Sequence, residues 1–190
     1  MTDPALALGT RGALPDALRV LLELYPQDAW ERDPGFSHLI RFWLDRHLMF
    51  RRLLERLRED AEHRLDRRTS AQDYRRVLSR LGGTFVGELH VHHNVEDAHY
   101  FPVLAQHDAR LDAGFALLDA DHHAIEAALA GFTDRANAVL DASGGESGHA
   151  ETGLFHGEVL SLAALLDRHL TDEEELVVPV LLKYGARGLS

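Results

Sequence analysis

Apolar residues recur every three or four positions over four long stretches of the chain, and nowhere do they alternate convincingly with period two. From Phe36 the stripe runs Ile40, Trp43, His47, Phe50, Leu54 and Leu57, predicting a helix to about Asp66. Thr69-Ser70 then offers an N-cap, with Asp73 three residues beyond Ser70 as a capping-box-like partner. A second stripe carries Val77, Leu81, Phe85, Leu89, His92, Glu96 and Val103, and Gly82-Gly83 and Gly87 predict a kink or a close helix contact near Gly83. A third helix begins at about Asp112, with Phe115, Leu118, His122, Ile125, Leu129, Phe132 and Val139 on one face. The Ser-Gly-Gly-Glu-Ser-Gly stretch at 143–148 reads as a flexible linker. The fourth helix carries Phe155, Val159, Leu162, Leu166, His169, Glu173, Leu176 and Val180, and stops near Gly185.

Ahead of these, residues 1–35 hold Pro4, Pro15, Pro26 and Pro34 and one short apolar stretch from Leu14 to Leu24. This predicts a lead segment with a short helix, closed by Pro34-Gly35. Helices of about 30 residues would each be about 45 Å long, and short connections make neighbours antiparallel. The predicted fold is therefore all-α: an up-down-up-down antiparallel four-helix bundle over residues 36–185, with a short N-terminal helical lead segment over 1–35.

The second and fourth helices can be superimposed through their prolines. His92-x-x-x-Glu96, followed by Asp97 and then Pro102-Val103-Leu104, matches His169-x-x-x-Glu173, followed by Glu174 and then Pro179-Val180-Leu181, with ten residues from histidine to proline in both. The first and third helices match through His47, Phe50 and Leu54 against His122, Ile125 and Leu129. The chain thus reads as two helix hairpins, each contributing one histidine and then one histidine with one carboxylate. Positions i and i+4 share a helix face, so His92 projects with Glu96 and His169 with Glu173. All four histidines lie within apolar stripes, so folding brings four imidazoles and two carboxylates into one interior. An ionised carboxylate buried there costs several kcal/mol unless it is paired or coordinates a metal. No lysine or arginine falls on the inner stripe of either helix near these positions, and a metal is the better partner.

Composition sharpens this. The chain has no cysteine, which removes disulfides and thiolate metal sites, but it has 13 histidines against 20 Lys plus Arg, which leaves His/carboxylate sites. A formal charge of −11 argues against a nucleic-acid partner. No segment has the apolar length of a membrane span, and residues 1–13 lack a signal-peptide core, so a soluble cytoplasmic protein without membrane contact is expected. Two histidines per metal with two bridging carboxylates leave room for an oxo or hydroxo bridge and an open position. That mixture favours iron over zinc or calcium, with manganese as the alternative.

Other residues stand close to this set. His99 follows Glu96 by three residues and is a candidate extra ligand or a donor to a ligand; Glu126, one turn after His122, is a candidate third carboxylate or a partner for an imidazole. Glu174 competes with Glu173, and the match to Pro179 favours Glu173. His93 with Asp97 is the same motif shifted by one residue, or about 100° around the helix, and is read as a surface or interface pair. His38, His63, His107, His149 and His156 are read as solvated, and Tyr100 as a core residue.

The run His90-Val-His-His-Asn-Val-Glu-Asp-Ala-His-Tyr-Phe-Pro102, with His169 to Glu173 and Pro179 later, resembles the hemerythrin/HHE cation-binding family over about residues 36–184. The resemblance implies a di-iron centre, two Fe2+/Fe3+ ions with an oxo or hydroxo bridge, held by His47, His92, Glu96, His122, His169 and Glu173. Hemerythrin proper has a second histidine one turn after its third-helix histidine, where this chain has Glu126, and its last carboxylate falls at the position of Glu174. The four-histidine, two-glutamate set is closer to di-iron proteins linked to iron–sulfur cluster repair and nitrosative stress, and to iron-sensing domains. The implied ligand is a small diatomic or a peroxide: O2, NO or H2O2. Turnover in stress defence or iron handling is the first expectation, and an iron- or oxygen-sensing binding module is the second. Oligomeric state is not legible.

Overall fold

A computed structural model describes residues 4–142 and 145–189 of the chain. Among these residues the long elements are helical and none is a strand: α1 His38–Leu65, α2 Ala71–Val95, a π-helical turn Glu96–Tyr100, α3 Phe101–Ala105, α4 Asp112–Asp141 and α5 Gly145–Tyr184. No helix among them is long and apolar enough to cross a membrane. The lead segment holds three short 3-10 turns, Pro4–Leu6, Asp16–Leu18 and Gln27–Arg32, in place of the short helix expected between Leu14 and Leu24. At 143–148 only part of the expected linker is described, and from Gly145 onward the chain is already α5.

Local chemistry explains the helix boundaries. Ser70 Oγ accepts from the Asp73 backbone N–H at 3.1 Å and bonds the Asp73 carboxylate at 2.7 Å, capping the start of α2. Gly82-Gly83 does not break α2; a Cβ on Gly82 would meet Phe132 at an ordinary 3.9 Å. The irregularity comes later, before Pro102. The Phe101 N–H reaches back five residues to Glu96 O. Proline crowds the carbonyl four residues before it, and one wider turn relieves that crowding. Pro179 sits inside an unbroken α5, so equal histidine-to-proline spacing does not produce equal backbones.

The buried stripe of α2 is Tyr74, Leu78, Phe85 and Leu89, with Val77 and Leu81 only half-buried. Continued in steps of four and three, this stripe reaches His93 and Glu96, not His92. That one-position rotation decides which histidine is buried most deeply.

The chain divides into two compact units, one drawn from 1–48, 92–124 and 167–190, the other from 49–91 and 125–166. The second unit is centred on aromatic rings. Phe50 meets Phe85 at 6.3 Å between centroids, Phe85 meets Phe132 at 5.6 Å and Phe132 meets Phe155 at 5.2 Å, with Leu57, Leu78 and Val159 also buried. Tilted and edge-on ring pairs add to area burial.

In the first unit Leu14, Leu21 and Trp30 of the lead segment enter one apolar cluster with Ile40, Trp43, Phe101, Leu111, Leu118, Leu176 and Val180. Close backbone approach ties them down. A Cβ at Gly114 would stand 2.9 Å from Leu18 O, and one at Gly35 would stand 2.6 Å from Leu182 O, so only glycine fits at either place. The lead segment is therefore part of this unit's packing.

Phe85 is fully buried among rings from α1 and α4. Phe85→Ala is expected to lower unfolding free energy by about 3–5 kcal/mol, read from denaturant titration with an unchanged m-value.

Candidate metal centre

Six helical positions deliver the polar interior of the first unit, with His92 beside them. His47 comes from α1, His92 and His93 from the end of α2, Glu96 from the first residue of the π turn, His122 from α4, and His169 with Glu173 from one turn of α5. His47, His93, Glu96, His122, His169 and Glu173 are all buried, and His92 nearly so.

They form two groups. His47, His92, Glu96 and Glu173 each place a ligand atom within 4.8 Å of the others, and His93, His122 and His169 do the same. The carboxylates link the groups. Glu96 sets Oε1 3.1 Å from His92 Nε2 and Oε2 3.7 Å from His122 Nε2. Glu173 Oε2 lies 3.6 Å from His47 Nε2 and 3.5 Å from His169 Nε2. Most of these separations exceed an N–H···O hydrogen bond. They suit donors sharing an ion, since two atoms ~2.1 Å from one cation lie about 3.0 Å apart at right angles and about 3.4 Å at a tetrahedral angle.

Polar satisfaction points the same way. His47 Nε2, His93 Nε2, His122 Nε2, both ring nitrogens of His169, both oxygens of Glu96 and Oε2 of Glu173 are buried without a hydrogen-bond partner. Buried polar atoms are nearly always partnered. Convergence of so many unsatisfied ones is what a cation site presents, and the donor set, imidazole nitrogen and carboxylate oxygen, suits a transition-metal cation.

Behind the imidazoles stand carboxylates. His47 Nδ1–H donates to Glu174 Oε1 at 2.9 Å and His122 Nδ1–H to Asp97 Oδ1 at 2.7 Å, because an ionised carboxylate only accepts. Each bond fixes the tautomer that leaves Nε2 open toward the centre. His169 Nδ1 faces Asp121 Oδ2 at 3.5 Å. Trp43 Nε1–H donates to Glu173 Oε1 at 2.6 Å, which leaves Oε2 as that residue's open oxygen.

Burial sets the charges. It pushes His92 down to about 3, and with the neighbouring imidazoles it holds His93 and His122 below the ordinary histidine range, in the neutral form that ligates metals. Burial, with Glu173 beside it, raises Glu96 well above the carboxylate range. Burial also acts to raise Glu173, but His47, His92 and His169 outweigh it and hold Glu173 well below. Without a cation the two carboxylates cannot both be comfortable as anions.

Four expectations from the sequence are revised. His93 is no surface residue: it is buried, and its ring stacks on His122 at 4.1 Å with 13° between planes. Its supposed partner Asp97 instead holds His122. His99 does not join the centre; the extra residue of the π turn carries it to the exposed side, while Phe101 and Leu104 turn inward. Glu126 does not join it either, because its exposed carboxylate bonds His90 Nδ1 at 2.7 Å. Glu174 is placed as the acceptor behind His47, outside both groups. Sequence reasoning misses Arg11 and Trp43 as polar partners. Trp43 shows there only as an apolar stripe position, and nothing in residues 1–35 marks Arg11.

Fold and site together define a helical cation-binding domain. The hemerythrin HHE cation-binding domain matches residues 38–181, and the chain belongs to that family. No curated protein and no solved structure matched the chain.

The placement separates neighbours in sequence by their effect. In anaerobic titration with ferrous iron, Glu96→Ala is expected to weaken binding by more than about 100-fold, beyond the 10–100-fold typical of residues behind a ligand. His99→Ala and Glu126→Gln are expected to leave it unchanged.

Proposed function

We propose that this chain holds a non-haem di-iron centre that binds or reacts with a small oxidant or diatomic molecule, namely O2, NO or H2O2. One observation carries the reading: two buried histidine groups, each within one ion's reach, are joined by Glu96 and Glu173. On this reading His93, His122 and His169 would hold one ion and His47 and His92 the other, with Glu96 and Glu173 available to both. Iron bound there supplies open coordination positions and reversible one-electron chemistry toward such molecules.

The chain's own contribution is geometry and exclusion of water. Glu174 and Asp97 orient His47 and His122, and Trp43 fixes Glu173. Rings wall the site: Trp43 lies 6.3 Å from His92 and 4.8 Å from Tyr100, and Phe101 stacks on His122 at 5.4 Å. The two groups are unequal, with three imidazoles against two. The pair His47 and His92 is one nitrogen short, and this is where a small ligand would be taken. His93 supplies an imidazole that Glu126, at the position of hemerythrin's second third-helix histidine, does not. No fifth histidine follows His122 by one turn, yet a fifth imidazole arrives from α2, so oxygen binding stands beside peroxide and NO chemistry in this proposal.

The burial also favours a second reading, an iron- or oxygen-sensing module. Ligand atoms unsatisfied in the metal-free chain make folding and cation binding interdependent, so occupancy would act through stability.

Anaerobic loading with ferrous iron, metal analysis and optical spectra before and after O2, NO and H2O2 test the proposal. Two irons per chain and a spectral response to at least one of the three are expected, with consumption at catalytic ratios selecting turnover over sensing. Fewer than one iron per chain overturns the di-iron reading. His93→Ala is expected to reduce two irons to one.

A further inference from the structure

Three imidazoles of the centre turn Nδ1 toward a carboxylate, and the three carboxylates are not alike. The Asp97 side chain is 38% exposed and that of Glu174 is 10% exposed, whereas Asp121, behind His169, is only 3% exposed. A carboxylate buried that deeply needs a counter-charge, and its counter-charge comes from the lead segment. Arg11 Nη1 donates to Asp121 Oδ1 at 2.8 Å and Nη2 to Asp121 Oδ2, a two-pronged grip. Its Nε donates to Asp172 Oδ2 at 2.8 Å, and Nη1 also reaches Leu6 O at 2.9 Å. Asp172 is fully buried and takes two further donors, the Leu14 backbone N–H at 3.1 Å and the Arg168 guanidinium, which also holds Gly12 O.

The register of these carboxylates gives the arrangement its significance. Asp121 directly precedes His122 on α4. Asp172 directly precedes Glu173 on α5 and follows His169 by three residues. One guanidinium therefore braces two helices one residue away from His122 and Glu173 and within a turn of His169. A planar fork fixes the rotation of the carboxylate it grips, which a single point charge cannot do. Asp121 Oδ2, held on one side by Arg11, faces His169 Nδ1 on the other at 3.5 Å, an ion-pair separation longer than a hydrogen bond.

We propose that Arg11 is a positioning residue for the metal centre, fixing Asp121 behind His169 and Asp172 beside Glu173 so that His169 presents Nε2 to the cation in the His93/His122/His169 group. This rests on the di-iron reading of the site. The lead segment then belongs to the metal-binding apparatus as well as to the apolar core. Without Arg11, Asp121 is buried and uncompensated and turns away, and His169 loses the carboxylate that its Nδ1 faces.

Cobalt(II) titration of the full chain, followed by its visible ligand-field bands, tests this with a readout that mere folding does not move. Wild type is expected to take two ions. Arg11→Gln is expected to weaken one of them by about 10–100-fold and to shift its band, leaving the other within about threefold. The weakened ion should be the one lost in His93→Ala. Asp121→Asn, which keeps shape and removes charge, is expected to show the same band shift and serves if Arg11→Gln does not fold. Leu21→Ala, which disturbs the same segment's packing away from Asp121 and Asp172, should lower the melting temperature of metal-free protein and leave both cobalt affinities in place. A normal second ion in Arg11→Gln, or a loss no greater than in Leu21→Ala, overturns the role of Arg11 while the metal site stands. A wild type that takes up no cobalt overturns both.

Discussion

The polar interior of the first unit turns on the burial of Glu96 and Glu173 among imidazoles. Neither oxygen of Glu96 has a hydrogen-bond partner, and Glu173 has one bonded oxygen and one open. An unpaired ionised carboxylate in an apolar interior costs several kcal/mol, and mutual repulsion adds to that cost. The arginine fork of the lead segment is spent elsewhere, on Asp121 and Asp172. A cation between the carboxylates and the Nε2 atoms around them would remove the penalty and explain why the core tolerates this group. The affinity of the site and the stability of the fold are then two views of one free energy.

Around that constraint the polar contacts have a consistent direction. Carboxylates bonded behind His47 and His122 present each imidazole by the nitrogen facing inward, and Asp121 faces His169 Nδ1 at 3.5 Å without a hydrogen bond. They differ in their own support. Solvent reaches Asp97, whereas Arg11 supports Asp121 from a segment 110 residues earlier in the chain. Exposure therefore separates a partner that water can replace from one that it cannot. The aromatic wall of Trp43, Tyr100 and Phe101 supplies the low-dielectric surroundings in which these contacts are strong.

Much of this arrangement is legible in the residue pattern alone. Periodicity places all four long helices within a few residues of where they lie, because their stripes are long and their caps, such as Ser70 with Asp73, are local. The repeated histidine-to-proline spacing picks out His47, His92, Glu96, His122, His169 and Glu173, and the fold brings these six together. Three features stay hidden for physical reasons. The stripe of α2 follows Tyr74 and Leu78, not Val77 and Leu81, a rotation too small to read from residue types, and it moves His93 inside. The π turn at Glu96 to Tyr100 inserts one residue without a sequence mark beyond Pro102, and it moves His99 outside. Arg11 braces helices far from it in sequence, and helical periodicity carries no information about such contacts.

Anomalous scattering at the iron edge from crystals of iron-loaded protein tests the central claim most directly. The account predicts two peaks, one among the Nε2 atoms of His93, His122 and His169 and one beside those of His47 and His92, with carboxylate oxygens of Glu96 and Glu173 adjacent to both. A single peak, or iron bound outside these residues with Glu96 paired to a side chain instead, would contradict it.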